Sequence, residues 1–311
     1  MLYVITGGAG FIGSNIVAQI ERRGLGPVAI IDTLDGTRWL NIAERKLIDL
    51  IAPRSALAYV ASCPDDTVVI HMGARTSTDD DDVDALADTN VRLTVELFDL
   101  CAKRSWPFVY ASSASVYGSN RSQTEDQSGR DLSPYAWSKL AADRMVCQRP
   151  ATPPVWAGLR LFNVYGLNEQ HKGEMKSFVS RCFDAIRFGQ PIRVFRGSNQ
   201  FVRDWVYAED VARLVCDLLT GPTPHDYTPK AMAGVYNVGT GVAASFIDVA
   251  KACIEASGKV TPLETAPFPE AMRSRYQAYT KADTAKLLRI VPGFSFTPLR
   301  EGVGAYWKDS Q

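Results

Sequence analysis

The chain predicts an α/β fold: a Rossmann-type, doubly wound parallel sheet with a smaller mixed α/β lobe towards its C-terminal side. Three observations carry that expectation. Short apolar runs of strand length alternate with helix-length segments as far as Leu161. A glycine-rich turn, Gly7 to Gly13, joins the first apolar run to the first helical one. After Asn163 the rhythm changes to shorter segments richer in Gly, Pro and aromatic residues.

The elements follow in order. Leu2 to Ile5 reads as a buried strand and Phe11 to Arg23 as a helix, with Ile12, Ile16, Val17 and Ile20 on one face. Val28 to Ile31 is a second strand, ending at Asp32, and Thr67 to His71 a third. Val83 to Arg104 reads as one long helix, opened by the acidic run Asp79 to Asp82 as a solvated start. Phe108 to Ser112 is a fourth strand. Pro134 to Gln148 is helical, with proline in its first turn, and Val155 to Leu161 is a fifth strand. Gly221 to Lys230 reads as a surface loop, and Val235 to Gly241 as a further strand and turn. Residues 1–166 are therefore expected to form a dinucleotide-binding domain, joined by late elements from about 203–240. Residues 167–202 and 241–311 form the remaining lobe.

Composition narrows the class. The 311 residues are 46% apolar, and 34 basic residues balance 34 acidic ones, which argues against nucleic acid as a partner. The apolar start at Leu2 to Ile5 is too short for a signal peptide or a span, so a cytoplasmic protein without a membrane partner is expected. The six scattered cysteines read as reduced core thiols, and the three dispersed histidines form no metal pattern.

In the glycine turn, Gly7 allows the tight bend, Gly10 lets the backbone approach a pyrophosphate, and Gly13 lets the helix pack on the strand. Phe11 and Ile12 stand at the helix N-terminus, whose amides and dipole suit phosphate. Asp32, ending the second strand, is placed to bind an adenosine ribose and favours NAD. Arg38 and Arg54 each suit a 2′-phosphate. The residues leave NAD and NADP open, and NADP is the expectation taken forward.

Tyr135 and Lys139 are spaced to share one helix face. A free tyrosine titrates near ~10, so a phenolate base needs a nearby cation. Lys139 supplies one, and Ser113 is placed to hydrogen-bond the reacting oxygen.

The segments Thr6 to Gly13, Ala111 to Gly118 and Tyr135-x-x-x-Lys139 resemble the motifs of the extended short-chain dehydrogenase/reductase family, over essentially the whole chain. The resemblance implies a nucleotide-sugar enzyme: an epimerase, dehydratase or reductase. It implies a mainly structural Asn90, and Asn163 near the substrate pyrophosphate. It also implies Arg203 and Arg275 as phosphate-gripping arginines, a use suited to the guanidinium fork.

Four segments, Asp35 to Asn41, Glu169 to Met175, Phe195 to Ser198 and Arg275 to Thr280, are similar to the ADP-heptose 6-epimerase branch of that family. The branch implies oxidation at C6 of the heptose of an ADP-sugar, rotation about C5–C6, and return of hydride to the other face. It also adds His171, Lys172 and Tyr276 to the substrate site. One fixed base cannot reach the C6 hydroxyl of both epimers, so Tyr135 would serve one and Lys172 the other. A homo-oligomer is expected. Two other readings stay open. A 4-epimerase or a 4,6-dehydratase is one, although the Asp-Glu pair a dehydratase wants is missing between Ser113 and Tyr135. The other is a cofactor sensor, which should lack the Tyr-x-x-x-Lys pair.

Overall fold

Leu2–Thr6, buried at every residue, forms β1, an inner strand of a seven-stranded parallel sheet. The structure is a computed structural model and describes residues 1–78, 80–220, 232–269 and 277–311. The first half of the chain runs β1, α1 (Phe11–Arg23), β2 (Val28–Ile31), β3 (Leu47–Ile51), α2 (Ala56–Ser62), β4 (Thr67–His71), α3 (Val83–Leu86), α4 (Leu93–Arg104), β5 (Phe108–Ser113), α5 (Pro134–Cys147) and β6 (Trp156–Leu161). The second half runs β7 (Asn163–Tyr165), α6 (Phe178–Arg187), β8 (Ile192–Phe195), β9 (Val202–Tyr207), α7 (Ala208–Thr220), β10 (Ala233–Val238), β11 (Ala243–Ser245), α8 (Phe246–Ser257), β12 (Leu263–Ala266), α9 (Ala285–Ile290) and α10 (Leu299–Asp309).

The large sheet has the order β10-β6-β5-β4-β1-β2-β3, the doubly wound arrangement expected. Strand side chains alternate between its two faces. Tyr3 and Ile5 enter a core shared with Ile16 and Ile20 of α1. Leu2 and Val4 enter another, shared with Val60 of α2 and Phe98 of α4. Covered on both faces, the inner strands are mostly apolar, which is why they read as runs. A third core joins α6, α8 and α10 around Phe183, Trp205 and Tyr306. Beside it, β7, β9 and β11 make a three-stranded sheet, and β8 pairs with β12.

Two features depart from the sequence expectation. Between β2 and β4 the chain adds β3 and α2. Edge strand β3 exposes Ile48 and Leu50, so it lacks the buried pattern of the inner strands. The expected helix 83–104 contains a π-helical turn at Ala87–Arg92 between α3 and α4, which carries Asn90. The loop expected at 221–230 lies outside the described residues. Among the described residues no helix is long and apolar enough to cross a membrane, and no His, Cys, Asp and Glu group could hold a metal ion.

Candidate active site

The sheet order reverses beside β1, between neighbours β2 and β4, and the glycine turn opens from that end. Gly7 has a φ of +68°, and a Cβ there would stand 2.5 Å from the Gly73 nitrogen, beyond β4. A Cβ on Gly13 would stand 2.1 Å from the Gly7 carbonyl oxygen. Gly10 caps α1 without a side-chain partner, and no acidic residue stands in the first turn. The amide end of the helix is thus left for an anion. Asp32 is buried. Its Oδ2 accepts from Ala9 N at 2.9 Å, and its Oδ1 accepts from Thr33 N at 2.8 Å and Arg38 Nη1 at 3.1 Å. Arg38 also pairs with Asp35 at 3.2 Å. Arg54 is exposed on a 3₁₀ turn after β3, three residues past Ile51, whose carbonyl accepts from Asp32 N.

Tyr135 and Lys139 occupy the first turns of α5, as expected. Pro134 starts the helix, and the Ser133 hydroxyl caps it by accepting from Ala136 N. Ser113, the last residue of β5, stands beside the Tyr135 phenol, and its Oγ accepts from Ser115 N at 3.2 Å and from Ser115 Oγ at 2.9 Å. Burial pushes that phenol above its usual range, and the nearby Ser113 hydroxyl pulls the other way. Lys139 is 5% exposed, and its Nζ donates to the Ala111 carbonyl at 2.8 Å. Burial lowers its pKa to about 8, against an opposing pull from Asp143. In the free protein, therefore, desolvation governs both groups. A cofactor cation beside them would be needed to bring the phenol towards neutrality.

Of the residues expected at the substrate, Asn163 lies on β7 and its Oδ1 accepts from Thr280 at 3.1 Å. Arg203 is buried on β9, its Nη1 donating to Val202 O and its guanidinium 5.7 Å from the Phe246 ring centroid. His171 and Lys172 sit on the 3₁₀ turn Gln170–Met175. Asn41 Nδ2 lies 3.1 Å from His171 Nδ1 and 2.9 Å from the Ala9 carbonyl, so the glycine turn and this loop are held together. Burial, with Arg38 and Lys172 nearby, lowers the His171 pKa. Lys172 Nζ lies 4.9 Å from the Phe11 ring centroid and 3.6 Å from Glu169 Oε2. Lys172 is thus tied to the cofactor turn in the free protein. Arg275 and Tyr276 lie outside the described residues.

The model of the NAD dependent epimerase/dehydratase family matches residues 3–239. The chain belongs to that family. Among solved structures, it is similar to the Helicobacter pylori ADP-L-glycero-D-manno-heptose-6-epimerase, with 24% identity, a TM-score of 0.81, and coverage of 99% of this chain and 95% of that one. It is also similar to MoeE5 in complex with UDP-glucose and NAD, with 27% identity, a TM-score of 0.77, and coverage of 100% and 98%. A third is the Thermus thermophilus UDP-glucose 4-epimerase complex with NAD, with 25% identity, a TM-score of 0.76, and coverage of 99% and 98%. The family match ends at the end of β10, so it takes in the glycine turn, Asp32, Ser113, Tyr135 and Lys139. The turn fits the dinucleotide that the family uses, because its glycines leave the backbone bare where side chains would collide.

Several residues of this family member escaped the sequence reading. Glu169, fully buried, accepts from Gly166 N and from the Ser177 amide and hydroxyl, so it joins both ends of the loop that carries Lys172. The acid three residues before Lys172 was the available signal. His71 is buried as a neutral ring. Thr6 Oγ1 lies 2.6 Å from its Nδ1 and Thr94 Oγ1 3.0 Å from its Nε2, and burial drives its pKa down to about 3. Thr94 donates to the Asn90 carbonyl. Asn90 in turn holds Arg75 N and O and donates to the Ser138 hydroxyl beside Lys139, the structural role expected of it. Asp204, also fully buried, accepts from Thr240, Gly241 and Ala282 and gathers the strands near Thr280.

Proposed function

We propose that the chain epimerises the sugar of a nucleotide sugar, with C6 of an ADP-heptose as the reacting carbon (ADP-D-glycero-D-manno-heptose to ADP-L-glycero-D-manno-heptose). The observation that carries the reading is Ser113, Tyr135 and Lys139 held together at the ends of β5 and α5, in the sheet whose switch point bears the glycine turn. The cofactor is NAD, in keeping with the family and with the NAD complexes of two similar structures. NADP would require Arg38 to leave Asp32 and Asp35 for a 2′-phosphate, or Arg54 to reach it.

When bound, NAD supplies a reversible acceptor for hydride. Gly7, Gly10, Phe11, Ile12 and Gly13 would hold its pyrophosphate and Asp32 its ribose. Tyr135 would take the hydroxyl proton of the reacting carbon and return it, with Ser113 orienting that oxygen. Lys139 keeps a positive charge beside the phenolate. Asn163, Arg203 and Arg275 are assigned to the substrate's diphosphate, and His171 and Tyr276 to the rest of its pocket.

The C6 assignment rests on the sequence likeness around His171-Lys172-Gly173, with Lys172 as the second base. Lys172 pairs with Glu169, and it acts as a base only after giving up that contact. The same ion pair favours a second reading. If Lys172 stays on Glu169, Tyr135 is the single base, which suits epimerisation at a ring carbon such as C4.

The deciding experiment follows purified protein by NMR on ADP-D-glycero-D-manno-heptose without added cofactor, with UDP-glucose in parallel. Appearance of the L-glycero epimer supports the C6 reading and a retained cofactor. Conversion of UDP-glucose alone moves the assignment to the ring carbon. Tyr135→Phe should lose turnover by about 10²–10⁴-fold while keeping cofactor. Near wild-type turnover in Lys172→Met would refute the two-base assignment.

A further inference from the structure

The inner face of α5 carries a carboxylate that neither the sequence motifs nor the proposed reaction uses. Asp143 stands one helical turn beyond Lys139 and is 2% exposed. It accepts three hydrogen bonds: from Tyr110 Oη at 3.0 Å, Ser112 Oγ at 2.9 Å and Arg160 Nε at 2.9 Å. Tyr110 and Ser112 flank Ala111 on β5, and Ala111 supplies the carbonyl that receives Lys139 Nζ. One stretch of three strand residues therefore fixes the carboxylate and the ammonium together. Arg160 lies opposite Ser112 in the register of β5 and β6. Its Nη1 donates to Tyr117 Oη at 3.0 Å, Glu125 O at 3.1 Å and Gln127 O at 3.3 Å. The ion pair thereby reaches the loop that follows Ser113.

We propose that Asp143 is a positioning residue for catalysis: fixed by Tyr110, Ser112 and Arg160, it keeps Lys139 an ammonium beside Tyr135 and ties that charge to the loop beyond Ser113. This rests on reading Tyr135 and Lys139 as the catalytic pair. The physical need is plain, because a lysine buried this deeply loses its proton readily unless an anion lies close. Asp143 is the attractive charge acting on Lys139. The other titratable groups around the pair are His71 on β4, kept neutral by burial, Tyr110 on β5, Arg160 on β6, Cys147 at the end of α5, its thiol pushed up by burial, and Tyr135 itself. Burial raises the Asp143 pKa, and Arg160 is the largest influence opposing that rise. The arginine thus preserves the anion that the lysine needs.

The test reads Lys139 directly in holoprotein labelled with ¹³C at lysine Cε. Its resonance is assigned by its loss in Lys139→Arg. In Asp143→Asn its titration midpoint should fall by about one pH unit, with Asp143→Glu restoring most of the change. The basic limb of kcat should move to lower pH in step, with KM little altered. A midpoint unmoved in Asp143→Asn overturns the proposal, even if the variant melts earlier, because a merely structural carboxylate would change stability alone. Should Asp143→Asn fail to fold with Arg160 left unmatched, Arg160→Gln serves instead. That variant should lower the midpoint, because Asp143 loses the cation that keeps it an anion, and no movement overturns the proposal equally. Full turnover in Lys139→Met would refute the catalytic pair itself, whereas the midpoint reports the coupling to Asp143 whatever the substrate.

Discussion

Replacing Lys139 with methionine should abolish turnover yet make the protein more stable at neutral pH. The lysine is buried, and its pKa stands at about 8 against an ordinary 10.5. Below pH 8 the amine is protonated in both the folded and the unfolded chain, so the fold bears the full cost of a desolvated charge. Between about 8 and 10.5 the unfolded chain binds more protons, so stability rises with pH across that window, and above it the cost has gone. The displacement corresponds to about 3 kcal/mol at pH 7. Methionine fills similar space without a charge. It removes the donor to the Ala111 carbonyl, which costs about 1–2 kcal/mol. The net gain is about 1–2 kcal/mol, a few degrees at most in melting temperature for a chain of this size. The assay is thermal melting of wild type and Lys139→Met, matched for bound cofactor, at pH 7 and pH 10.5. The variant should melt higher at pH 7 and lose that advantage at pH 10.5. A variant that melts lower at pH 7 refutes the reasoning, because the contacts of the lysine would then outweigh its desolvation.

Gly13→Ala should strip the protein of its cofactor, since the new methyl meets the Gly7 carbonyl oxygen at 2.1 Å and forces the turn open. Nicotinamide content after purification is the measure, and a wild-type content would contradict the assigned cradle. His71 should make the protein acid-sensitive. Its ring stays neutral in the fold down to about pH 3, while the unfolded chain takes up a proton near 6.5. Stability is therefore lost as pH falls through that window, by up to about 1.4 kcal/mol per unit. Urea unfolding at pH 7, 6 and 5 should show a smaller loss in His71→Gln, and an identical slope would refute the assignment.

The parts of the site written in local spacing were legible before the structure. Gly7, Gly10 and Gly13 lie between the end of β1 and the first turn of α1, Asp32 follows β2, and Tyr135 and Lys139 share a face of one helix, so geometry follows directly from residue number. The parts assembled by distant contacts were not. Thr6 finds His71 across β1 and β4, Arg160 finds Asp143 across β6 and α5, and Asn41 joins Ala9 to His171 between separate loops. Nothing in the local pattern marks any of these polar residues as buried. Strand β3 escaped for the opposite reason: at the sheet edge Ile48 and Leu50 face solvent, so the apolar signal that marks its inner neighbours is missing. Arg203 shows a third limit. The family resemblance implied a phosphate ligand there, but it does not tell that the side chain lies buried against Val202 and Phe246.

The position of Lys172 separates the two candidate reactions in mechanical terms. Glu169 binds both Gly166 and Ser177, so the ends of the loop are fixed by a buried carboxylate. Lys176 is held in turn by Gln170 and Asp184. The Lys172 side chain, 25% exposed, is held only by the Glu169 ion pair and the Phe11 ring. A two-base reaction at C6 therefore asks for the swing of one side chain from a fixed anchor, a motion that costs rotamer entropy and one ion pair but no refolding of the loop. A single-base reaction at a ring carbon asks nothing of Lys172 and requires the whole sugar to turn before Tyr135. A loop with locked ends and one amine held only by Glu169 and Phe11 suits the first demand. That mechanical fit, together with the His171-Lys172-Gly173 segment, is why C6 of an ADP-heptose stands ahead of the ring carbon as the reaction to test.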